Sequence, residues 1–429
     1  MVRSRYLLLG DDMRATLRVV VALMLLSGFG AAFATPASSL TPAWSVVSSV
    51  SPAGPPNGQS SSAFSGVSCG GAAPCFAVGQ RETATGTTAT LVEQPTGSGW
   101  TVVASPNASG ATASVLSGVS CSSFKFCVAV GGSSTKSLAK TLIERWNGAT
   151  WSIMTSPNHG TGSNGLASVS CTSMTSCFAV GSFDNGSCPT APGPTCSPPV
   201  QTLVERWNGA TWSIVPSPDL ALQPGLAQRD DFLLGVSCAT ATSCFAVGGD
   251  ARIGVFDGSF TYHDEQTLIE RWNGSTWSIV KSPDPGTDFN ELSSVSCPSA
   301  NSCFAVGSFA NGQYLESSPG YSLIAHWNGI VWTHVASANL AKATTTELSG
   351  VSCSAPASCV AVGEADHVSS SGQQGSTLIE TPAGTSWSIM QSPNPAPSSA
   401  LSAVSCTSTS SCYAVGAGGS GHTLVETHS

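Results

Sequence analysis

Short apolar runs in which a large side chain alternates with Ser, Gly, Ala or Thr recur along the chain at intervals of about 50 to 60 residues. The second copy shows the unit: "LSGVSC" at 116–121, "CVAVG" at 127–131, "TLIERWNG" at 141–148 and "TWSIM" at 150–154. Each run has the period of two of a β-strand, with Leu116 and Gly118 expected on one face and Ser117 and Val119 on the other. Likewise Trp151 and Ile153 oppose Ser152 and Met154. Large residues alternate here with small ones rather than with charges, so both faces of each sheet are expected to be covered. Four such strands per copy, stacked face to face around an axis, make a β-propeller.

The two ends of the pattern complete each other. The last copy stops after its third strand, "TLVETHS" (423–429), and a fourth strand stands near the other end as "PAWSVVSSVSP" (42–52). The expected fold is an all-β, seven-bladed β-propeller with four antiparallel strands per blade, its ring closed by the N-terminal strand 42–50 completing the C-terminal blade. The blades are expected at 64–106, 116–157, 166–218, 233–283, 292–337, 348–393, and 401–428 plus 41–52.

Third and fourth strands are joined through W-N-G-x-x-W, in which Asn-Gly is a favoured tight-turn pair. All eleven tryptophans fall in this unit. Seven open the fourth strand (Trp44, Trp100, Trp151, Trp212, Trp277, Trp332, Trp387), and Trp146, Trp207, Trp272 and Trp327 precede Asn-Gly. A residue repeated in every blade reads as packing between neighbours rather than as a row of sugar-stacking rings. Third-strand glutamates recur in the same way, at Glu93, Glu144, Glu205, Glu270, Glu380 and Glu426, and read as structural because equivalent positions spread around a ring.

Fourteen of the sixteen cysteines form seven C-x5-C pairs, each opening on V-S-C and closing on C-[FVY]-A-V-G: Cys69/Cys75, Cys121/Cys127, Cys171/Cys177, Cys238/Cys244, Cys297/Cys303, Cys353/Cys359 and Cys406/Cys412. A bridge at the base of each short hairpin is expected, since paired strands bring Cα atoms within the ~4.4 to 6.8 Å a disulfide requires. Two thiolates per pair fall short of the four ligands of structural zinc. Cys188 and Cys196 are expected to form an eighth bridge inside the longest loop.

Composition then places the chain. The segment 1–34 has Arg near its start, an apolar run from Val19 to Ala34 and Ala32-Phe33-Ala34 before Thr35, the pattern of a cleaved signal peptide. The run is shorter than the ~20 residues a spanning helix needs, so no membrane span is expected after cleavage; 35–429 would be the propeller, secreted or at the cell surface. Cleavage removes four Arg and two Asp, leaving 11 basic (15 − 4) and 22 acidic (24 − 2) side chains, a formal charge of −11. A nucleic-acid partner is excluded, since phosphate neutralisation needs clustered Lys and Arg. No cofactor is expected: P-loop and H-E-x-x-H patterns are missing from the sequence.

The combination L-S-x-V-S-C-x5-C-x-A-V-G with W-N-G-x-x-W resembles the repeat of a family of exported bacterial β-propeller proteins. The resemblance covers nearly the whole of 35–429 and implies a fold and a location rather than an activity. A weaker likeness is to the Asp-box of sialidases, S-x-D-x-G-x-x-W. Gly148 and Trp151 match its Gly and Trp, but Trp146 stands in place of the Asp and Glu144 in place of the Ser, so sialidase activity is not carried over.

Up-and-down strands put the C-x5-C and W-N-G turns on one face of the disc and the second-to-third and fourth-to-first connections on the other. The latter face varies. Counted from the Gly ending the second strand, its second-to-third loops run 10, 9, 20, 18, 14, 13 and 6 residues. Variable loops on a rigid scaffold carry binding, and the densest polar set lies in blade 4: Arg229, Asp230, Asp231, Asp250, Arg252, Asp257, Tyr262, His263, Asp264 and Glu265. A loop folded over the channel mouth would let Asp264 and Glu265, beside Tyr262 and His263, do acid/base work; the plainer reading is a solvated polar tip. Asp284, Asp288 and Asn290 are a second, calcium-like candidate without EF-hand spacing. The expected function is a monomeric, non-catalytic binding propeller for a carbohydrate or protein ligand. A polysaccharide hydrolase or lyase and a structural envelope protein are the alternatives.

Overall fold

The computed structural model describes residues 44–52, 61–70, 74–135, 138–186, 198–224, 226, 228–256, 259–311, 320–340, 343–369, 372–408, 410–419 and 421–428. The expected leader, Cys188, Cys196 and Asp257 lie outside these residues, as do the side chains of Tyr262 and His263.

The described residues form 28 strands and no helix. Three sheets have four strands and two have eight. Each of the larger two is a pair of four-stranded antiparallel sets joined by one parallel bridge, Thr88↔Ala113 or Gly320↔Thr345. Within a set the strands pair in chain order, as Asn164–Ser173, Ser176–Asp184, Val200–Trp207 and Trp212–Ile214 do. The last set takes its fourth strand from the other end of the chain: Trp44–Val46 pairs with His422–His428 through Trp44↔His428, Ser45↔Thr427 and Val46↔Glu426.

The strict alternation expected along 116–121 is corrected by a β-bulge. Every first strand shifts register after its leading large residue, between Phe64/Gly66, Leu116/Gly118, Leu166/Ser168, Leu233/Gly235, Leu292/Ser294, Leu348/Gly350 and Leu401/Ala403. The extra residue turns Leu116 and Val119 to the same buried side. Ser117 and Gly118 are left to line a channel of about 160 Å³, whose wall takes small residues from the first strand of every set. Backbones converge there: a Cβ on Gly118 would lie 3.1 Å from the Ala167 carbonyl oxygen.

The bulge also explains the glycine of C-x-A-V-G. A Cβ on Gly131 would stand 2.1 Å from the Val115 carbonyl oxygen and 2.9 Å from Leu116 Cα, and the same crowding recurs at Gly181 and Gly307. We expect Gly131→Ala to destabilise by about 1–3 kcal/mol, whereas at Gly132, whose nearest neighbour is 3.7 Å away, alanine costs little. Equal melting temperatures for the two variants would rule out this role for the bulge.

Adjacent sets are joined by the serine of V-S-C. Each serine hydroxyl accepts from the N–H of the first cysteine of the next set: Ser68 from Cys121 (3.1 Å), Ser120 from Cys171, Ser170 from Cys238, Ser237 from Cys297, Ser296 from Cys353 and Ser352 from Cys406 (each 3.0 Å). Ser405 of the last set accepts from Cys69 of the first at 2.9 Å.

All seven C-x5-C pairs are bonded, with Cα atoms 4.0–4.1 Å apart. That is closer than the expected span because the two residues stand directly opposite in the ladder, as at Cys121↔Cys127 and Cys171↔Cys177. The two cysteines of a pair are not alike. The first is half-buried, whereas the second is enclosed in the apolar core at Cys127, Cys177, Cys244, Cys303, Cys359 and Cys412, each at most 2% exposed. The second cysteine opens the second strand of its set, which is covered on both faces, and there it packs as a small apolar side chain. Cys75 alone among the second cysteines is half-buried.

The tryptophans pack between sets, as expected. Phe76 of the first set meets Trp146 and Trp151 of the second, each with ring centroids 5.1 Å apart. Phe178 and Phe245 repeat this one set on with Trp272/Trp277 and Trp327/Trp332, and Tyr413 of the last set meets Trp100 of the first at 5.3 Å.

The third-strand glutamates are fully buried, and all but Glu93 are answered by the serine of an S-P-[ND] or equivalent segment in the preceding set. Ser105 donates to Glu144 at 2.7 Å, Ser156 to Glu205 at 3.1 Å, Ser217 to Glu270 at 2.8 Å, Ser337 to Glu380 at 2.8 Å and Ser392 to Glu426 at 2.9 Å. Where Ala325 replaces the glutamate, Ser282 turns instead to the Thr267 carbonyl at 3.0 Å. The Asn or Asp of the same segment accepts a backbone N–H from within the third strand, as Asn158 does from Thr141 at 3.1 Å and Asp284 from Thr267 at 2.7 Å.

Candidate functional site

The polar residues of the fourth set lie on a β-ladder, which corrects the loop expectation. Gln228–Thr240, Ser243–Phe256 and Ser259–Trp272 are three adjacent strands. The second and third run on together as one long hairpin, with Phe256 opposite Ser259. The signal was in the sequence: Asp-Gly at 257–258 between β-prone residues is a favoured two-residue hairpin pair.

Register decides which residues meet. Asp231 stands opposite Asp250, Arg229 opposite Arg252, and Arg252 opposite Asp264. Arg229 donates through Nη2 to Asp250, through Nη1 to the Ala221 carbonyl at 3.0 Å, and its Nε is 3.4 Å from Asp231. Arg252 reaches Asp250 at 3.3 Å, Asp264 at 3.1 Å and the side-chain Oε1 of Gln266. Five of the ten expected residues therefore form one ion-pair network of two cations and three carboxylates. Arg229, Asp231 and Asp250 are buried in it, while Asp264 keeps 27% side-chain exposure and Arg252 15%. Burial pushes the Asp231 carboxyl up to about 7, against the lowering effect of the Leu220 N–H, with Asp250 raising it further and Arg229 lowering it.

The remaining residues face elsewhere. Asp230 accepts from the Val200 N–H at 2.9 Å and from Gln228 at 2.8 Å, tying the third set to the fourth. Asp264 and Glu265 do not act as a pair, since neighbours on a strand point to opposite faces: Asp264 meets Arg252, and Glu265 turns toward Glu291 of the fifth set. Burial, then Glu291 and Asp250, push the Glu265 carboxyl up to about 8. Its backbone is docked there as well, Glu265 N–H donating to the Asp288 carbonyl at 2.8 Å and Asn290 Nδ2 to the Glu265 carbonyl at 3.2 Å. Tyr262 pairs with Ile253, and His263 is the bulged residue between the Arg252 and Ile253 pairs.

Sequence reading missed Glu291, Glu347 and Glu364. Burial raises Glu291, helped by Glu347, and raises Glu364, helped by Asp366 and Glu347. A carboxylate arc thus runs from the fourth set to the sixth. The available signal was departure from the repeat, since Glu291 and Glu347 stand where other copies have Ala63, Val115, Gly165, Phe232 and Ala400. Two of the three calcium candidates are committed to backbone: Asp284 caps Thr267, and Asn290 accepts from Gly286 at 2.7 Å. Among the described residues no group of three His, Cys, Asp or Glu is placed to hold a metal ion, and no helix is long and apolar enough to cross a membrane.

No protein-family model matches the chain, and no curated protein matches it. Similar folds occur among solved structures. A polysaccharide lyase of family PL25, an ulvan lyase, aligns with a TM-score of 0.50 at 7% identity over 84% of this chain and 90% of its own. YCF48 from Cyanidioschyzon merolae aligns with a TM-score of 0.46 at 13% identity over 90% and 98%. YCF48 bound to D1 peptide gives 0.45 at 11% over 90% and 96%. At these identities the likeness concerns fold alone, and the fold is of propeller type.

Proposed function

We propose that this chain is an exported, closed seven-bladed propeller, the fold and location that the resembled bacterial repeat family implies, and that it binds a carbohydrate or protein ligand on its variable face without catalysing a reaction. The observation that carries the reading is the contrast between faces. On one, every first-to-second turn is the same disulfide-closed C-x5-C hairpin beside the Ser–Cys hydrogen bonds; on the other, second-to-third connections run from 6 to 20 residues. Closure is supported by the bonds and rings that join the last set to the first, Cys69 to Ser405 and Trp100 to Tyr413. Disulfides in each set support an oxidising compartment.

A polysaccharide-active enzyme is the second reading, favoured by the raised carboxyls of Asp231, at about 7, and Glu265, at about 8. It stands behind the first because Asp231 is buried against Arg229 and Glu265 points away to the next set. Replacing residues 253–262 by a short Gly-Ser turn keeps Asp250, Arg252 and Asp264 in place. Residues 35–429 should be retained on chitin, cellulose, peptidoglycan or cell-wall material, and this variant should be released. Equal retention of both forms would remove the fourth set from the site, and turnover of a retained polysaccharide would replace binding by catalysis.

A further inference from the structure

The end of the molecule that carries the repeated turns is chemically unlike the variable face. A Cβ on Gly148 would lie 3.0 Å from Lys125 Cγ, and Trp207 Nε1 donates to the Met174 carbonyl at 3.0 Å, so the C-x5-C and W-N-G turns of a set stand side by side. The Ser–Cys hydrogen bonds bring this end of neighbouring sets to the same side of the molecule. None of these turns contains an Asp or Glu, and Lys125 is their one charge.

Four large apolar side chains stand out from this end: Phe124 at 61% exposure, Met174 at 54%, Ile330 at 81% and Val331 at 50%. Packing within the sets does not call for them. The position held by Phe124 and Met174 is filled by Ala241 and Ala300 in the next two sets, and that of Ile330 by Ala149, Ala210 and Ser275 elsewhere. Because Phe124 and Met174 occupy equivalent places in one repeated hairpin, they are carried to the same height above their sheets.

Behind the tips lies a row of cations. Arg145, Arg206 and Arg271 immediately precede third-strand tryptophans, and their guanidinium carbons lie 5.2, 5.5 and 5.7 Å from the ring centroids of Phe126, Phe178 and Phe245. Their Nε atoms are buried without a hydrogen-bond partner, and among the described residues no carboxylate pairs with them. Carboxylates gather at the opposite end, where Asp219 accepts from the Thr202 N–H at 2.9 Å and Asp264 meets Arg252. With a formal net charge of −9, the molecule can approach an anionic surface only by its repeated-turn end.

Apolar tips at one level, backed by cations and free of carboxylates, fit a bilayer with negative headgroups, whose acyl boundary receives the tips while its phosphates answer the charges. An anionic polysaccharide would answer the charges and leave Phe124 and Ile330 in water.

We infer that the repeated-turn face docks on an anionic phospholipid bilayer, with Phe124, Met174, Ile330 and Val331 entering it, Lys125 at its headgroups and the three arginines adding to the positive charge of that end. The variable face is then presented away from the membrane.

The test is flotation of residues 35–429 with vesicles of phosphatidylcholine alone or mixed in equal parts with phosphatidylglycerol. The protein should float with the mixed vesicles and bind neutral ones at least ~10-fold more weakly. Phe124→Ser combined with Ile330→Ser should lower affinity for the mixed vesicles at least ~10-fold, and Lys125→Glu at least ~5-fold, with melting temperatures unmoved because these side chains are exposed. Replacing residues 253–262 on the other face should leave vesicle binding unchanged. No flotation with the mixed vesicles, equal binding to neutral ones, full binding by the Phe124/Ile330 variant, or loss of binding on replacing 253–262 would each overturn the inference.

Discussion

Removing residues 44–52 will lower the melting temperature more than any single core substitution in the molecule. Trp44 is completely buried among Val360, Val362, Ile379, Leu401 and Leu424, and loss of a buried Trp alone costs about 3–5 kcal/mol. The segment also ties two sets together. On the last, Val47 N–H donates to Val425 at 2.9 Å and Ser51 accepts from Thr423 N–H at 3.0 Å; on the first, Ser48 accepts from Trp100 N–H at 2.8 Å and Val50 N–H donates to Glu93 at 3.4 Å. Deletion strips the outer strand from His422–His428 and exposes that edge to pairing with a second chain. The expected result is a fall of about 5 kcal/mol or more together with concentration-dependent association. Thermal unfolding of a chain starting at Trp44 beside one starting after Pro52 measures it. Matching melting temperatures would sink the closure proposal.

Stability should also fall steeply as pH rises from about 5 to 8. Burial pushes Glu93, Glu144 and Glu426 up to about 7, Glu205 and Glu270 to about 8 and Glu380 to about 6, each partly offset by its hydrogen bond, from a serine or, at Glu93, from Val50. Above pH 4.5 the unfolded chain has released these protons while the folded chain still holds them. The folded state binds more protons throughout that window, so unfolding becomes easier as pH rises, and the stabilisation is gone once pH passes the folded values. One pKa unit corresponds to ~1.4 kcal/mol, so even a single unit surviving at each of six sites amounts to about 8 kcal/mol, comparable with the whole stability of a domain. Melting temperatures between pH 5 and 8.5 should drop by roughly 10 °C or more, scaled from typical domain values. Glu205→Gln keeps an acceptor for Ser156 and removes one titrating group. Its curve should be shallower, crossing the parent so that the variant is the more stable form at pH 8. A flat or rising parent profile would show these carboxyls to be ionised in the fold.

Repetition made the scaffold readable. Four strands per copy, the C-x5-C bridges, the Asn-Gly turns and the inter-set place of the tryptophans all follow from residues that recur at one spacing, because each set solves the same packing problem. The bulge in every first strand is not legible in this way, since Leu-Ser-Gly-Val reads equally well as plain alternation. Nor is the inward turn of the second cysteines, from Cys127 to Cys412, which depends on the neighbouring set that covers them. The partner of each recurrent serine and glutamate likewise sits in a neighbouring set some 50 residues away, as Ser156 and Glu205 are 49 apart. The fourth-set residues stand out in the sequence as an unusual polar group, yet their arrangement does not. Register paired Arg252 with Asp264 and turned Glu265 away, and a one-residue slip would have reversed both.

The sequence by itself determined an all-β repeat, its number of copies, the pairing of the C-x5-C cysteines and the face on which the copies differ. These rest on local patterns of two to eight residues, which constrain backbone conformation directly. Only the tertiary structure decided that Asp231 and Asp250 are buried against Arg229 and that carboxylates of the fourth, fifth and sixth sets form an arc. Those facts depend on which strands become neighbours and which side of each faces inward, and distance along the chain carries no measure of either.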